Sequence, residues 1–377
     1  MIEREKQMKK VKKIILLIIL LMILFVFLTP ISCIATETEE QGASQEEILE
    51  SQQDSLNISS FLEEAQKYTE GSFEDIDMGE LFSAAITGNI DNSTIAKSIV
   101  GIVGKEILDC ITVLGSIIVI IVIHSILKSI SEGLENKSVS QITYYVQYIL
   151  IVTLIMGNFA DIIEMVKSSI ESLVGFMNSL VPLLITLMLT TGNIASAGLL
   201  EPIILFIITF IGNFIVGVLI PFVLLSTVLS IVSKVSNRVQ VDKLSKFFNS
   251  TVVWILGIAL TLFVGVLSVE GSLSSTVDGI TAKTAKAAVS NFIPVVGKIL
   301  GDAVDTVIGC SNILKNAVGI VGVIIVIGIC IAPIIKLAVL MGLYYLAGAI
   351  CQPIADEKIV KLLEEMGNTF KMLLAIM

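Results

Sequence analysis

Residues 291–310 read NFIPVVGKILGDAVDTVIGC inside an otherwise apolar stretch. If the chain after Pro294 is helical, Lys298, Asp302 and Asp305 fall at i, i+4 and i+7 on one face, and Gly309, Asn312 and Asn316 continue the seam. Val296, Ile299, Leu300, Ala303, Val304 and Val307 take the other side. A second seam lies upstream in Thr276, Gly279, Lys283, Lys286 and Ser290, broken from the first by NFIP. A row of ionised groups with an apolar back suits the lining of a watery conduit or a dock for a partner protein, while a plain interfacial helix satisfies the same pattern. Glycines at Gly297, Gly301 and Gly309 would permit close approach of a neighbouring helix.

Other chemistry is sparse. The single histidine, His124, sits in IIVIIVIHSIL with no titratable neighbour, which suits a packed or snorkelling side chain better than a base. Cys33, Cys110, Cys310, Cys330 and Cys351 are scattered without CxxC spacing, supporting neither a disulfide framework nor a zinc site. GxxxxGK[ST], HExxH, GxSxG and strand-linked GxGxxG patterns are absent, so the expectation is a non-enzymatic protein without cofactor or metal. Asp109, Glu201 and Lys336 read as charges at span edges that reach the interface.

The elements that must position these residues are apolar. Hydrophobic residues make up 55% of the 377 and charged ones 15%, where soluble chains carry about a quarter charged, so the fold class is an all-α polytopic membrane protein. The net charge of -10 is local, because residues 36–96 hold fifteen Asp or Glu against one basic residue, Lys67. Without clustered Lys and Arg, nucleic acid is not an expected partner; the lipid bilayer is.

The amino terminus has a basic stretch, an apolar core over 14–28 and a small-residue site ending at Ala35, the pattern of a secretory signal peptide over 1–35. An uncleaved anchor and a lipoprotein at Cys33 are the alternatives. Residues 36–106 form an acidic extracytoplasmic region, an exposed and partly ordered arm with short helices at ISSFLEEAQKY and MGELFSAAI. Residues 107–377 form the polytopic domain, with spans at about 107–127, 142–160, three within 180–232, 247–269, 317–335 and 337–352, about eight in all. TTGNIASAG and GVLIP supply the breaks inside 180–232. The basic loop 233–246 belongs inside by the positive-inside rule, which needs an odd number of crossings after an outside segment at 161–178. That segment is amphipathic and reads as an interfacial helix, with Ile162, Val166, Ile170, Leu173 and Met177 on one stripe. The segment 270–316 is then extracytoplasmic.

The block SVEGSLSSTVDGITAKTAKAAVSNFIPVVGKILGDAVDTVIGCSNILKNAVGIVGV at 268–323 resembles the stage III sporulation protein AE family of endospore-forming Firmicutes. SILKSISEGLENKSVSQITYYV, VPLLITLMLTTGN and EPIILFIITFIG carry the resemblance in order along nearly the whole chain. It implies a subunit of the transenvelope channel complex made during engulfment, in the mother-cell membrane around the forespore. The implied partners are the other subunits of the stage III sporulation A operon, among them a secretion-type ATPase and ring-forming proteins, and a forespore membrane partner. The implied role is a feeding conduit for late forespore gene expression. Family members continue into a further apolar segment, whereas here only about nine residues follow Asn368, too few to span.

From the residues alone, two rivals stand beside the channel component. One is a small-solute or ion transporter with its site near Pro182, Gly192, Glu201 and Pro221. The other is a scaffold that anchors partner subunits.

Overall fold

The computed structural model describes residues 42–69, 73, 76–132, 137–235, 241–265, 268, 296–353, 355 and 357–377. The expected signal peptide over 1–35 with its site at Ala35, and Lys283 and Lys286, lie outside the described residues, as do the side chains of His124, Lys298 and Asp302. The described elements are α1 (Gly42–Ser55), α2 (Ile58–Thr69), α3 (Met78–Thr87), α4 (Asn92–Glu132), α5 (Lys137–Thr190), α6 (Ile194–Phe214), α7 (Ile220–Val235), α8 (Asp242–Gly265), α9 (Val296–Cys351) and α10 (Glu357–Ile376), with no strand among the described residues.

Local chemistry sets the short helices at the two expected patches. Asp77 opens α3 by accepting the Glu80 amide at 2.9 Å, and Gly88 closes it in the left-handed region at φ 73°. The Gln66 carboxamide clips the turn between α2 and α3, accepting the Met78 amide at 3.0 Å and donating to the Ile76 carbonyl. These helices are not a loose arm. Phe61, Phe73, Phe82 and Met78 are buried against Phe176, Leu180 and Leu187 of α5 and Leu314, Val318, Val321 and Ile325 of α9.

Five stretches are long and apolar enough to cross a membrane among the described residues: Ser93–Ile123, Ile151–Thr190, Glu201–Lys234, Asp242–Gly265 and Val304–Cys351. The larger number expected from the sequence came from reading punctuation as breaks. Only one break stands inside 180–232, the turn at 191–193, where Gly192 adopts φ 85°. GVLIP does not break the chain. A π turn, Ile215–Leu219, joins α6 to α7, with the Ile220 amide bonding to the Ile215 carbonyl, so the ladder shifts by one residue just ahead of Pro221 and the helix continues. Pro333 likewise lies inside α9, which unites the two expected spans 317–335 and 337–352 and the preceding seam into one helix of 56 residues. The expected interfacial helix at 161–178 is the middle of α5: Ile162, Val166 and Ile170 of its stripe are buried by protein, and Leu173 and Met177 pack partly buried.

Helices α5 and α9 run antiparallel as a shared pair. Tyr148 to Ile170 of α5 and Leu337 to Cys351 of α9 enter one core with Cys110, Ile117 and Ile121 of α4, Val223 of α7 and the apolar face of α10. Phe176 to Leu187 and Leu314 to Ile329 enter the other, with α2 and α3. At 54 and 56 residues these helices measure about 80 Å, far beyond an apolar bilayer core of about 30 Å.

Candidate functional site

The waist between the two cores carries charge. On α4, Ile95, Ile99 and Ile102 pack toward the α2–α3 core and Cys110 begins the other, leaving Glu106 between them. On α9 one apolar core ends at Ile329 and the other begins at Leu337, leaving buried Pro333 and half-buried Lys336 between them. Lys336 Nζ stands 3.5 Å from Glu106 Oε2, with side chains 33% and 16% exposed. Glu106 Oε2 itself is buried and accepts no hydrogen bond among the described residues, so Coulomb attraction holds the pair. Both residues lie within candidate spans, where an unpaired charge is costly and a paired one marks function. Pro333 precedes Lys336 by three residues and has no amide to offer the Ile329 carbonyl, loosening α9 beside the pair.

At the α10 end a hydroxyl ladder ties three helices. Ser226 and Ser245 lie 3.0 Å apart, Thr227 and Thr369 2.9 Å apart, all buried. Lys234 at the end of α7 donates to Ser230 at 3.3 Å and pairs with Glu365 of α10 at 3.2 Å. On α10, Glu357 and Lys361 form an exposed i, i+4 pair that lowers the carboxyl's affinity for its proton and raises the ammonium's. At the other end, the Glu64 carboxylate accepts the Ser179 hydroxyl at 2.9 Å. Burial, then that carboxylate, push the Tyr68 phenol above its ordinary range.

The expected seam lies on the first part of α9. Asp305 and Asn316 are exposed, and Asn312 is half-buried and accepts from Lys315 Nζ at 3.3 Å. Gln52 of α1 bridges beside them, donating to the Val307 carbonyl and accepting from Ser311 Oγ, both at 3.3 Å. On the apolar back, Val304 and Val307 keep 42% and 39% exposure, so described protein does not cover them. Gly309 is not a close approach: a Cβ there would meet nothing within 4 Å among the described residues. Close approaches occur deeper, where a Cβ on Gly322 would lie 2.8 Å from Leu180 and one on Gly328 2.7 Å from Phe73.

Pro182, Gly192, Glu201 and Pro221 do not assemble into a site. Pro182 lies inside α5, and the continuous helix from α6 to α7 separates Gly192 from Pro221 by about 40 Å of rise. Glu201 forms no ion pair among the described residues, and no group of three metal-ligating side chains occurs among them. Sequence reading missed Glu106 and the partnership of Lys336, which is no span-edge charge but an interhelical partner within α9. The signal was a carboxylate three residues ahead of Asp109 at the head of an apolar run, with nothing local to relate it to a lysine far along the chain.

No solved structure matches the chain. Stage III sporulation protein AE of Bacillus subtilis (strain 168) is 34% identical over 273 residues, covering 72% of this chain and 68% of that protein. The family model for stage III sporulation protein AE matches residues 76–377, which take in all five candidate spans and the charged waist. The chain is therefore a membrane protein belonging to the stage III sporulation protein AE family.

Proposed function

We propose that this protein is a non-enzymatic membrane component of a channel complex linking mother cell and forespore, needed for late forespore gene expression and spore formation. The observation that carries the reading is the reach of the family match across the entire span-bearing body. On this reading it sits in the mother-cell membrane around the forespore, with the other subunits of the stage III sporulation A operon, a secretion-type ATPase and ring-forming proteins among them. A forespore membrane partner lies opposite.

Five crossings serve this role with an outside amino-terminal region. Residues 180–232 then cross once instead of three times, and since both numbers are odd the basic loop stays inside. The α2–α3 core falls on the forespore-facing side and the α10 core on the cytoplasmic side, in keeping with the antiparallel α5–α9 pair. The seam of Asp305 and Asn312 then faces the space between the membranes.

Deleting the gene in the sporulating host tests the role. The expected result is arrest after engulfment with a late forespore reporter silent, restored by the intact gene. Normal yields of heat-resistant spores with an active reporter would contradict it. For topology, a cysteine at Asn237 in a cysteine-free chain should resist an impermeant thiol reagent and one at Ser55 should react; labelling at Asn237 overturns the five-crossing assignment.

A further inference from the structure

We infer that the outward stripe of α5 between Gly157 and Glu171 lines a water-filled path through the membrane, a path that favours hydrophilic cations. Such a path deepens the channel reading and rests on it for its use, while the stripe itself is set by packing geometry.

Two contacts set the depth of this stripe. Thr209 of α6 donates to the Asn178 carboxamide of α5 at 3.4 Å, and Gly212 of α6 stands against Val174 with no room for a Cβ. The helices run antiparallel, so counting from these contacts sets Glu171, Ser168 and Glu164 level with Ile215, Val218 and Phe222. Between Glu201 and Lys234 the α6–α7 rod carries no charged residue. A bilayer core of about 30 Å takes about 20 residues of that stretch, and every such window contains Phe214 to Pro221. Glu171 and Ser168 therefore lie at hydrocarbon depth wherever the layer is set. Ser245 of α8 lies 3.0 Å from Ser226 of α7, and the apolar run of α8 begins two residues later, which brings Glu164 inside the layer and Asp161 to its edge.

At this depth the molecule has two unlike sides. Helices α6, α7 and α8 expose Phe210, Leu225, Val253 and Ile258, the surface that lipid accepts. On α5, between Ile149 and Leu189, none of the described side chains is both large, apolar and exposed. Its exposed positions from 157 to 171 are Gly157, Ala160, Asp161, Glu164, Ser168 and Glu171, whose steps of three and four keep them on one face. The other face of the same turns, Ile162, Val166 and Ile170, is buried. The waist pair stands at the same level, since Gly322 against Leu180 sets Lys336 opposite Val166. Exposed Lys105 and Asp109 of α4, beside Glu106, extend the charged band.

The chemistry selects water. Asp161, Glu164 and Glu171 form no ion pair among the described residues, and ionised groups at membrane depth face a water-filled cavity or a counter-charge. The stripe holds three carboxylates and no ammonium group, so it concentrates cations over anions. Gly157, Ala160 and Ser168 between them add little bulk, which leaves the surface open to a hydrated solute. This chain supplies one wall of the path.

The test uses the full-length, cysteine-free protein in membranes of the sporulating host, with single cysteines at Glu164, Ser168 or Glu171 and, for comparison, at Phe210, Leu225 or Val253. Charged methanethiosulfonate reagents attack the thiolate, which forms in water and not in lipid. The stripe positions are expected to react about tenfold faster than the comparison positions, and a cationic reagent about tenfold faster than an anionic one of matched size. Ser168→Cys exchanges only oxygen for sulfur, so the stripe stays testable where replacement of a carboxylate prevents accumulation. Stripe rates no higher than at Phe210 would overturn the path. Reaction only after detergent extraction would overturn it too, assigning the stripe to a protein interface, and equal rates with both reagents would remove the cation preference. Labelling does not depend on spore formation, so a deletion strain that forms normal spores would retire the channel role and leave the path standing.

Discussion

The two ends of the α5–α9 pair solve one problem in opposite ways. Each end of an 80 Å helix pair exposes an apolar seam that must be covered. At one end the cover comes from short helices α2 and α3, drawn from the most acidic part of the sequence and fixed by caps, an amide clip and aromatic contacts such as Tyr68 on Phe176 at 5.7 Å. At the other the cover is a single amphipathic helix, α10, with Leu362, Leu363, Met366, Phe370 and Leu373 wholly buried and buried hydroxyls stitched to α7. The first cover packs on α5 and α9, with only Ile95, Ile99 and Ile102 of α4 set against the same core; the second belongs to the larger core that gathers α4, α5, α7, α8 and α9. Damage at the hub should therefore unfold the body, and damage at the cap should only release the cap.

That contrast orders the expected effects. Phe370 packs at 6.0 Å from Phe159 and 5.1 Å from Tyr344, and Phe370→Ala is expected to cost about 3–5 kcal/mol, seen as loss of membrane-accumulated protein. Phe82→Ala should cost a similar amount locally yet leave the protein accumulating, with new protease cuts confined to residues before α4. Equal losses of abundance from both would erase the distinction. Gly328→Val drives a side chain into the Phe73 ring and should detach the cap at about 1–3 kcal/mol, measured by the same proteolysis. Lys234→Met leaves Glu365 without its cation at the hub. Since both side chains keep 17% exposure, the expected loss is about 1–2 kcal/mol, read from the thermal midpoint in detergent.

The smallest effect concerns the entry to α4. Asp91 accepts the Ser93 amide at 2.9 Å and the hydroxyls of Ser93 and Thr94, and these bonds lower its carboxyl to about 2. A depressed folded value stabilises the start of α4 above the ordinary carboxylate range, and that stabilisation disappears as pH falls through about 2. Amide exchange over the first turn of α4 should rise there, and Asp91→Ala should raise it at neutral pH without changing abundance.

Much of this was legible in the sequence wherever the signal was local. The all-α membrane class, the helices at ISSFLEEAQKY and MGELFSAAI and the break at Gly192 each follow from composition, capping or turn chemistry. The span number did not follow, because GVLIP and Lys336 divide the apolar runs in the sequence while a π turn and the unbroken α9 carry the helix through them. The packing of the acidic region was hidden as well, since Phe61, Phe73 and Phe82 gain a core only from α5 and α9. Glu106 was the clearest omission. Its meaning lies in a partner 230 positions away, and no periodicity within one element reports such a contact.

Two cores share one helix pair across a charged waist, and reversing the charges there probes that arrangement at its joint. Glu106→Lys and Lys336→Glu should each place like charges 3.5 Å apart inside candidate spans and sharply reduce spore formation. The double swap restores opposite charges at the same two positions. It is expected to recover most of the protein level and spore yield that either single change loses. A double variant as defective as the sum of the two singles would show that the residues do not act as a pair.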